Sequence, residues 1–150
     1  MTAPAGLRLS LQQPDGSLRA LLPRHAVARW VRSALEGPLA AEIALRVVGE
    51  EEGRHLNRAF RDRDYATNVL TFSYALAPVV MADVVLCAPV VEREARETGV
   101  PLLAHCVHLV VHGVLHARGF DHEREDEARV MEARESALML SLGFADPYAR

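Results

Sequence analysis

The chain has 150 residues, half of them apolar, which suits one domain built around one core. Its 17 basic residues are all arginine and are outnumbered by 20 acidic ones, and a net charge of −3 excludes a general coat for nucleic acid, whose sequence-independent grip needs many cationic contacts. A membrane-spanning helix is excluded too, because the longest apolar stretches, such as Val79 to Leu86, are short and broken by Asp83.

In chain order, Leu7, Leu9 and Leu11 alternate with polar neighbours, the period-two pattern of a half-buried strand, and Pro14-Asp15-Gly16 marks a turn. From Pro23 to Leu35 the apolar set Ala26, Val27, Trp30, Val31, Ala34 and Leu35 follows helical spacing, with Pro23 suited to the start and Gly37-Pro38 to the stop. Trp30 is expected in the core. Ile43, Leu45 and Val47 alternate as a second strand, and Glu50 to Phe60 reads as a helix with acidic residues in its first turn, where the macrodipole favours them. His55 on that helix is expected at the surface. The polar run Arg61-Asp62-Arg63-Asp64-Tyr65-Ala66-Thr67-Asn68 forms a loop, a placement that often carries function. Strands over about Val69 to Ser73 and Ala82 to Cys87 follow, then, after Pro89, a helix to Thr98 ended by Gly99 and Pro101. Helices over roughly Leu102 to Arg118 and Glu125 to Leu142 complete the chain. Four strands interleaved with helices predict a single domain over residues 1–150, an α/β or α+β layer in which about five helices cover a mixed four-stranded sheet.

Cys87 and Cys106 make no C-x-x-C pair and are expected as buried apolar residues without a disulfide. The opening Met1-Thr2-Ala3-Pro4-Ala5-Gly6 lacks the basic and apolar regions of a secretory signal, so a cytoplasmic protein is expected.

The chemistry concentrates in His112-Gly113-Val114-Leu115-His116-Ala117-Arg118-Gly119-Phe120-Asp121-His122. Residues four apart on a helix share a face, so His112 and His116 can aim at one point. A third ligand from the same helix would sit about 5.4 Å further along, too far for an ion bound at about 2.1 Å. The chain must therefore turn back, and Gly119 tolerates the left-handed conformation that ends a helix and returns His122 to the same ion. Three nitrogen ligands leave a fourth position open, as in a catalytic zinc site. The bland alternative is two core-satisfied or solvated histidines and a third in a loop. His108 extends the i, i+4 stack but is out of reach, and is expected as a packing residue or one that supports a ligand. Asp121, beside a ligand, can orient an imidazole or accept a proton.

The spacing matches the zinc-peptidase pattern H-E-x-x-H-x-x-G-x-x-H, except that Gly113 replaces the glutamate that serves there as general base. A peptidase of that class is not expected. The glycine version, H-G-x-L-H-x-x-G-x-D-H, resembles the signature of the YbeY family of endoribonucleases. The likeness extends upstream through Leu56-Asn57, Phe60-Arg61, Asp64, Thr67-Asn68-Val69-Leu70-Thr71-Phe72 and Ala82-Asp83-Val84, and downstream to the helix around Met131.

This resemblance implies a small zincin-like α+β fold and a zinc-dependent endoribonuclease preferring single strands, acting in ribosomal RNA maturation at the 3′ end of small-subunit rRNA and in ribosome quality control. It implies one Zn²⁺ held by His112, His116 and His122, with Arg61 as the basic residue beside it. Arg61 and Arg63 are assigned to substrate binding, and Arg61, His112 and Asp121 to catalysis. Small-subunit ribosomal proteins and an assembly GTPase are the implied partners. Arginine's planar fork of donors suits phosphate, and the rival role for Arg61 is a loop salt bridge to Asp62 or Asp64. The proton acceptor stays open between Asp83, Asp121 and internal attack by a substrate 2′-hydroxyl. Asn68 departs from the family's aspartate, Ala82 from its glycine and Ala117-Arg118 from a more apolar pair. Two other functions share the histidines: a metal-dependent hydrolase of another substrate, and a ribosome-assembly factor whose metal is structural.

Overall fold

The computed structural model describes residues 6–37 and 39–149. Pro38 of the stop expected after α1, residues 1–5 of the opening segment from which a cytoplasmic protein is expected, and Arg150 lie outside the described residues. The elements are β1 (Leu7–Gln12), α1 (Arg24–Leu35), β2 (Ala41–Val48), α2 (Glu50–Arg61), β3 (Val69–Ala75), β4 (Val80–Cys87), α3 (Ala88–Thr98), α4 (Leu102–Ala117) and α5 (Glu125–Ser141). This is the expected α+β fold with a mixed four-stranded sheet and five helices.

The sheet order is β1-β2-β4-β3, with β1, β2 and β4 parallel and β3 antiparallel at the edge. Helix α1 makes the crossover between the parallel neighbours β1 and β2, as such pairs require. The pleat sends Ile43, Leu45 and Val47 of β2, with Ala82, Val84 and Leu86 of β4, to one face, where they join Trp30 and Val31 of α1 and Val107, Val110, Val111 and Val114 of α4 in the main core. On the opposite face Val48, Leu70, Val85 and Cys87 pack with Val90 and Leu56 as a smaller cluster. Helix α4 touches α1, α3, α5, β3 and β4, so all but its histidine edge is enclosed. Such a position demands a helix apolar on most sides, and α4 carries Val and Leu accordingly. Cys87 and Cys106 are buried and unbridged, as expected.

Several boundaries differ from the sequence reading for identifiable reasons. Strand β4 starts at Val80 because its ladder with β2 begins at the Ala41–Val80 pair, and β3 continues to Ala75 through a bulge between Ser73 and Ala75. Helix α2 reaches Arg61, which is its last helical residue rather than the first of the loop, and Asp62 then turns left-handed at φ 55°. Glu36, not Gly37, takes the left-handed stop of α1, and its carboxylate is held by Arg118 at 2.7 Å and Arg134 at 2.8 Å.

Candidate metal centre

Helix α4 ends in a Schellman turn. The Phe120 N–H donates to Leu115 O at 3.1 Å and the Gly119 N–H to His116 O at 2.9 Å, while Gly119 sits at φ +98°. Reversal at this glycine returns the chain toward the helix. The Asp121 carboxylate then accepts the His122 N–H at 2.7 Å, fixing the backbone that presents the third imidazole. One donor atom from each of His112, His116 and His122 lies within 4.8 Å of the others. Donors around tetrahedral zinc stand about 3.4 Å apart, so small ring rotations close the set. His112 and His116 are half-buried and His122 is exposed, which opens the site to solvent on one side.

Burial first, then the neighbouring His112 and His122, pushes the His116 imidazole down to about 4. That environment favours the neutral ring, the form that binds metal. Behind the trio lies a carboxylate that the sequence reading did not single out. Glu135 of α5 is 1% exposed; its Oε1 accepts from His112 Nδ1 at 3.0 Å and His108 Nε2 at 2.7 Å, and its Oε2 accepts the Tyr148 hydroxyl at 3.0 Å. Burial alone would raise this carboxyl, but the bonds from His108 and His112 outweigh it and hold it at about 2. His108 thus shares a carboxylate oxygen with His112. A glutamate inside the apolar stripe Met131, Leu138, Met139 was the available signal.

The three histidines open into a cleft of about 940 Å³ that Arg61, Arg63 and Asp121 also line. Arg61 donates to Thr71 O at 3.4 Å, and among the described residues it has no ion-pair partner, since Asp64 is held by Arg54 at 2.8 and 3.0 Å. The loop behind it is pinned at both ends. Asn57, 3% exposed, donates to Tyr65 O at 2.8 Å; Asn68 donates to Glu94 Oε1 at 3.0 Å and accepts the Val69 N–H at 2.6 Å. Asn68 supplies an N–H toward Glu94, whereas an aspartate there would set two carboxylates together. Arg118 likewise has a local task, donating to Ala34 O at 3.0 Å and lying 5.4 Å from the Phe120 ring centroid.

Asp83 is elsewhere. Its carboxylate accepts the Tyr74 hydroxyl at 2.8 Å and lines a smaller cleft, about 590 Å³, on the α2 face of the sheet. Of the two expected proton acceptors, Asp121 is the one that shares the cleft with the histidines. Gly113 packs against the sheet so closely that a Cβ there would stand 2.7 Å from Val84 Cγ1, so the missing glutamate has no room.

The sequence matches the family model of Endoribonuclease YbeY over residues 18–143. It is 63% identical over 143 residues to Endoribonuclease YbeY of Methylibium petroleiphilum, covering 95% of each chain, and 64% identical over 132 residues to that of Acidovorax sp., covering 87% of this chain and 86% of the relative. The solution structure of TM1509 from Thermotoga maritima is similar at a TM-score of 0.56 and 25% identity, over 96% of this chain and 99% of that one.

Proposed function

The chain belongs to the YbeY endoribonuclease family, and from that membership we propose that it is a zinc-dependent endoribonuclease cutting single-stranded ribosomal RNA, in maturation of the small-subunit rRNA 3′ end and in ribosome quality control. The observation that carries this reading is the convergence of three imidazole donors within 4.8 Å at a cleft that also holds Arg61 and Arg63. All-nitrogen donors with an open side suit one catalytic Zn²⁺ on His112, His116 and His122. Bound there, zinc supplies positive charge to phosphoryl oxygens and the acidity that makes water a nucleophile near neutral pH.

The chain's own groups take the remaining roles. Arg61, free of carboxylate partners among the described residues, grips the phosphate and stabilises the charge that develops on it, and Arg63 holds the flanking backbone. Asp121 has one oxygen tied to the His122 N–H and the other available to accept a proton in the cleft. Internal attack by a 2′-hydroxyl is the alternative, and the products separate them: a 2′,3′-cyclic phosphate marks internal attack, a 5′-phosphate with a free 3′-hydroxyl marks water.

No helix among the described residues is long and apolar enough to cross a membrane. A net charge of −3 favours guidance to pre-ribosomal RNA by protein partners, here small-subunit proteins and an assembly GTPase, in the cytoplasm. The test pairs metal analysis with cleavage of a single-stranded RNA by wild type, chelated wild type, His116→Ala and Arg61→Ala. Metal content and cleavage fall together in the chelated and His116→Ala samples, whereas Arg61→Ala keeps its metal and loses about 100-fold or more in cleavage. Full cleavage by metal-free protein would refute the reading.

A further inference from the structure

The buried carboxylate behind the histidines has no role in the function stated above, and its placement is costly. Glu135 occupies a core position of α5 between Met131, Leu138 and Met139, where an apolar side chain would pack without the desolvation a carboxylate incurs. Three donors converge on it. Two come from α4, and one of these is His112 Nδ1 at 3.0 Å, on the opposite side of the ring from Nε2. The third is the hydroxyl of Tyr148, brought by the C-terminal tail. That tail is folded for the purpose: Asp146 Oδ1 accepts Ser136 Oγ of α5 at 2.6 Å and the Tyr148 N–H at 2.9 Å, and the Phe144 N–H donates to Met139 O at 2.9 Å.

We propose that Glu135 is a positioning residue for the metal: by taking the Nδ1–H of His112 it leaves the Nε2 lone pair for the ion, and Tyr148 clamps the carboxylate from the C-terminal tail. A neutral imidazole has one N–H and one lone pair, so whichever nitrogen is engaged as donor decides which can ligate. His108 fills the rest of Oε1 at 2.7 Å, so the carboxylate cannot swing away from His112 without abandoning a second donor. The tail thereby becomes part of the metal centre although it contributes no ligand. This inference rests on the zinc reading, and it concerns affinity and ring tautomer rather than turnover.

The experiment uses the full chain as wild type, Glu135→Gln and Tyr148→Phe. Two quantities are read: the zinc dissociation constant by competition with a chromogenic chelator, and the His112 tautomer in metal-free protein by long-range ¹⁵N–¹H NMR. Glu135→Gln keeps the volume but offers one acceptor oxygen to three donors, so a mixture of His112 tautomers and about 10- to 100-fold weaker zinc binding are expected. Tyr148→Phe is expected to weaken zinc a few-fold with the backbone spectrum unchanged outside the tail. A Glu135→Gln protein that is less stable yet binds zinc with wild-type affinity, His112 still protonated at Nδ1, would overturn the proposal and leave Glu135 a structural residue. If Glu135→Gln does not fold, Tyr148→Phe decides, and wild-type affinity there overturns the clamp. Wild type that takes up no zinc would instead defeat the metal reading itself, while the tautomer of metal-free His112 would still judge Glu135.

Discussion

Gly113 stands where α4 rests on the sheet, and the contact sets what that position can be. A Cβ would lie 2.7 Å from Val84 Cγ1, and Val84 is 1% exposed in the middle of β4. Alanine gains about 1 kcal/mol of helix propensity over glycine, but overpacking a tight core costs about 1–3 kcal/mol. Gly113→Ala is therefore expected to lower the urea midpoint, and Gly113→Glu to lower it further, because the carboxylate must also be buried; restoring the peptidase motif would unfold the site rather than create a peptidase. A second outcome at this scale concerns acid. His116 has its folded-state pKa depressed to about 4, so below its ordinary value of 6.5 the unfolded chain takes a proton that the folded one refuses. Stability of the metal-free protein should fall as pH drops from about 6.5 toward 4, by up to about 3 kcal/mol, and His116→Ala should flatten that slope in urea titrations. The histidine trio was legible because its spacing is local. Glu135 was not, since its meaning depends on α5 crossing α4, and only its misfit within an apolar stripe hinted at it.

Elements carry the site through one turn. His112 and His116 are aligned by the helix itself, but His122 depends on the Schellman reversal at Gly119, φ +98°. The nearest atom to an added Cβ there is Leu76 Cδ1 at 3.8 Å, so substitution meets no collision and the penalty is purely backbone strain. Gly119→Ala should cost about 1–2 kcal/mol and displace His122, weakening zinc binding while far-UV ellipticity is retained. Unchanged affinity would show that His122 does not need this turn. Helix α4 and its glycine stop were readable because periodicity and punctuation agree. The strand limits were not, because β3 and β4 are extended by ladder partners rather than by their own alternation, and the α1 stop falls at Glu36, whose carboxylate Arg118 and Arg134 hold across long sequence separations. Asp83 matched the motif in sequence, yet the pleat sends it to the other face of the sheet from Val84 and the histidines.

At the scale of the molecule, the alternation of elements left α/β and α+β open and the family resemblance chose α+β, whereas the order β1-β2-β4-β3 was not legible, since no local pattern states that β4 inserts between β2 and β3. The trace it leaves is burial: most residues of the central strands β2 and β4 are buried, although Glu42, Arg46 and Asp83 stand on their second face, whereas Leu9 in β1 and Leu70 in β3 are the lone buried residues of the edge strands. Such a sheet, sealed on one face by α1 and α4 with α5 packed on α4, makes the metal centre inseparable from the core. Trp30, 3% exposed on α1, shares that core with Val110 and Val114 of the ligand helix, and Arg118 at the end of α4 is bonded to the end of α1. We therefore expect residues 1–150 to unfold as one unit, with Trp30 fluorescence and far-UV ellipticity lost at the same urea concentration. Zinc at about 100 times its dissociation constant should move both transitions together by about 2.7 kcal/mol. If zinc shifts the ellipticity transition and leaves Trp30 behind, α1 and the ligand helix belong to separate cooperative units, because an ion bound only to α4 and its turn can stabilise α1 solely through the packing they share.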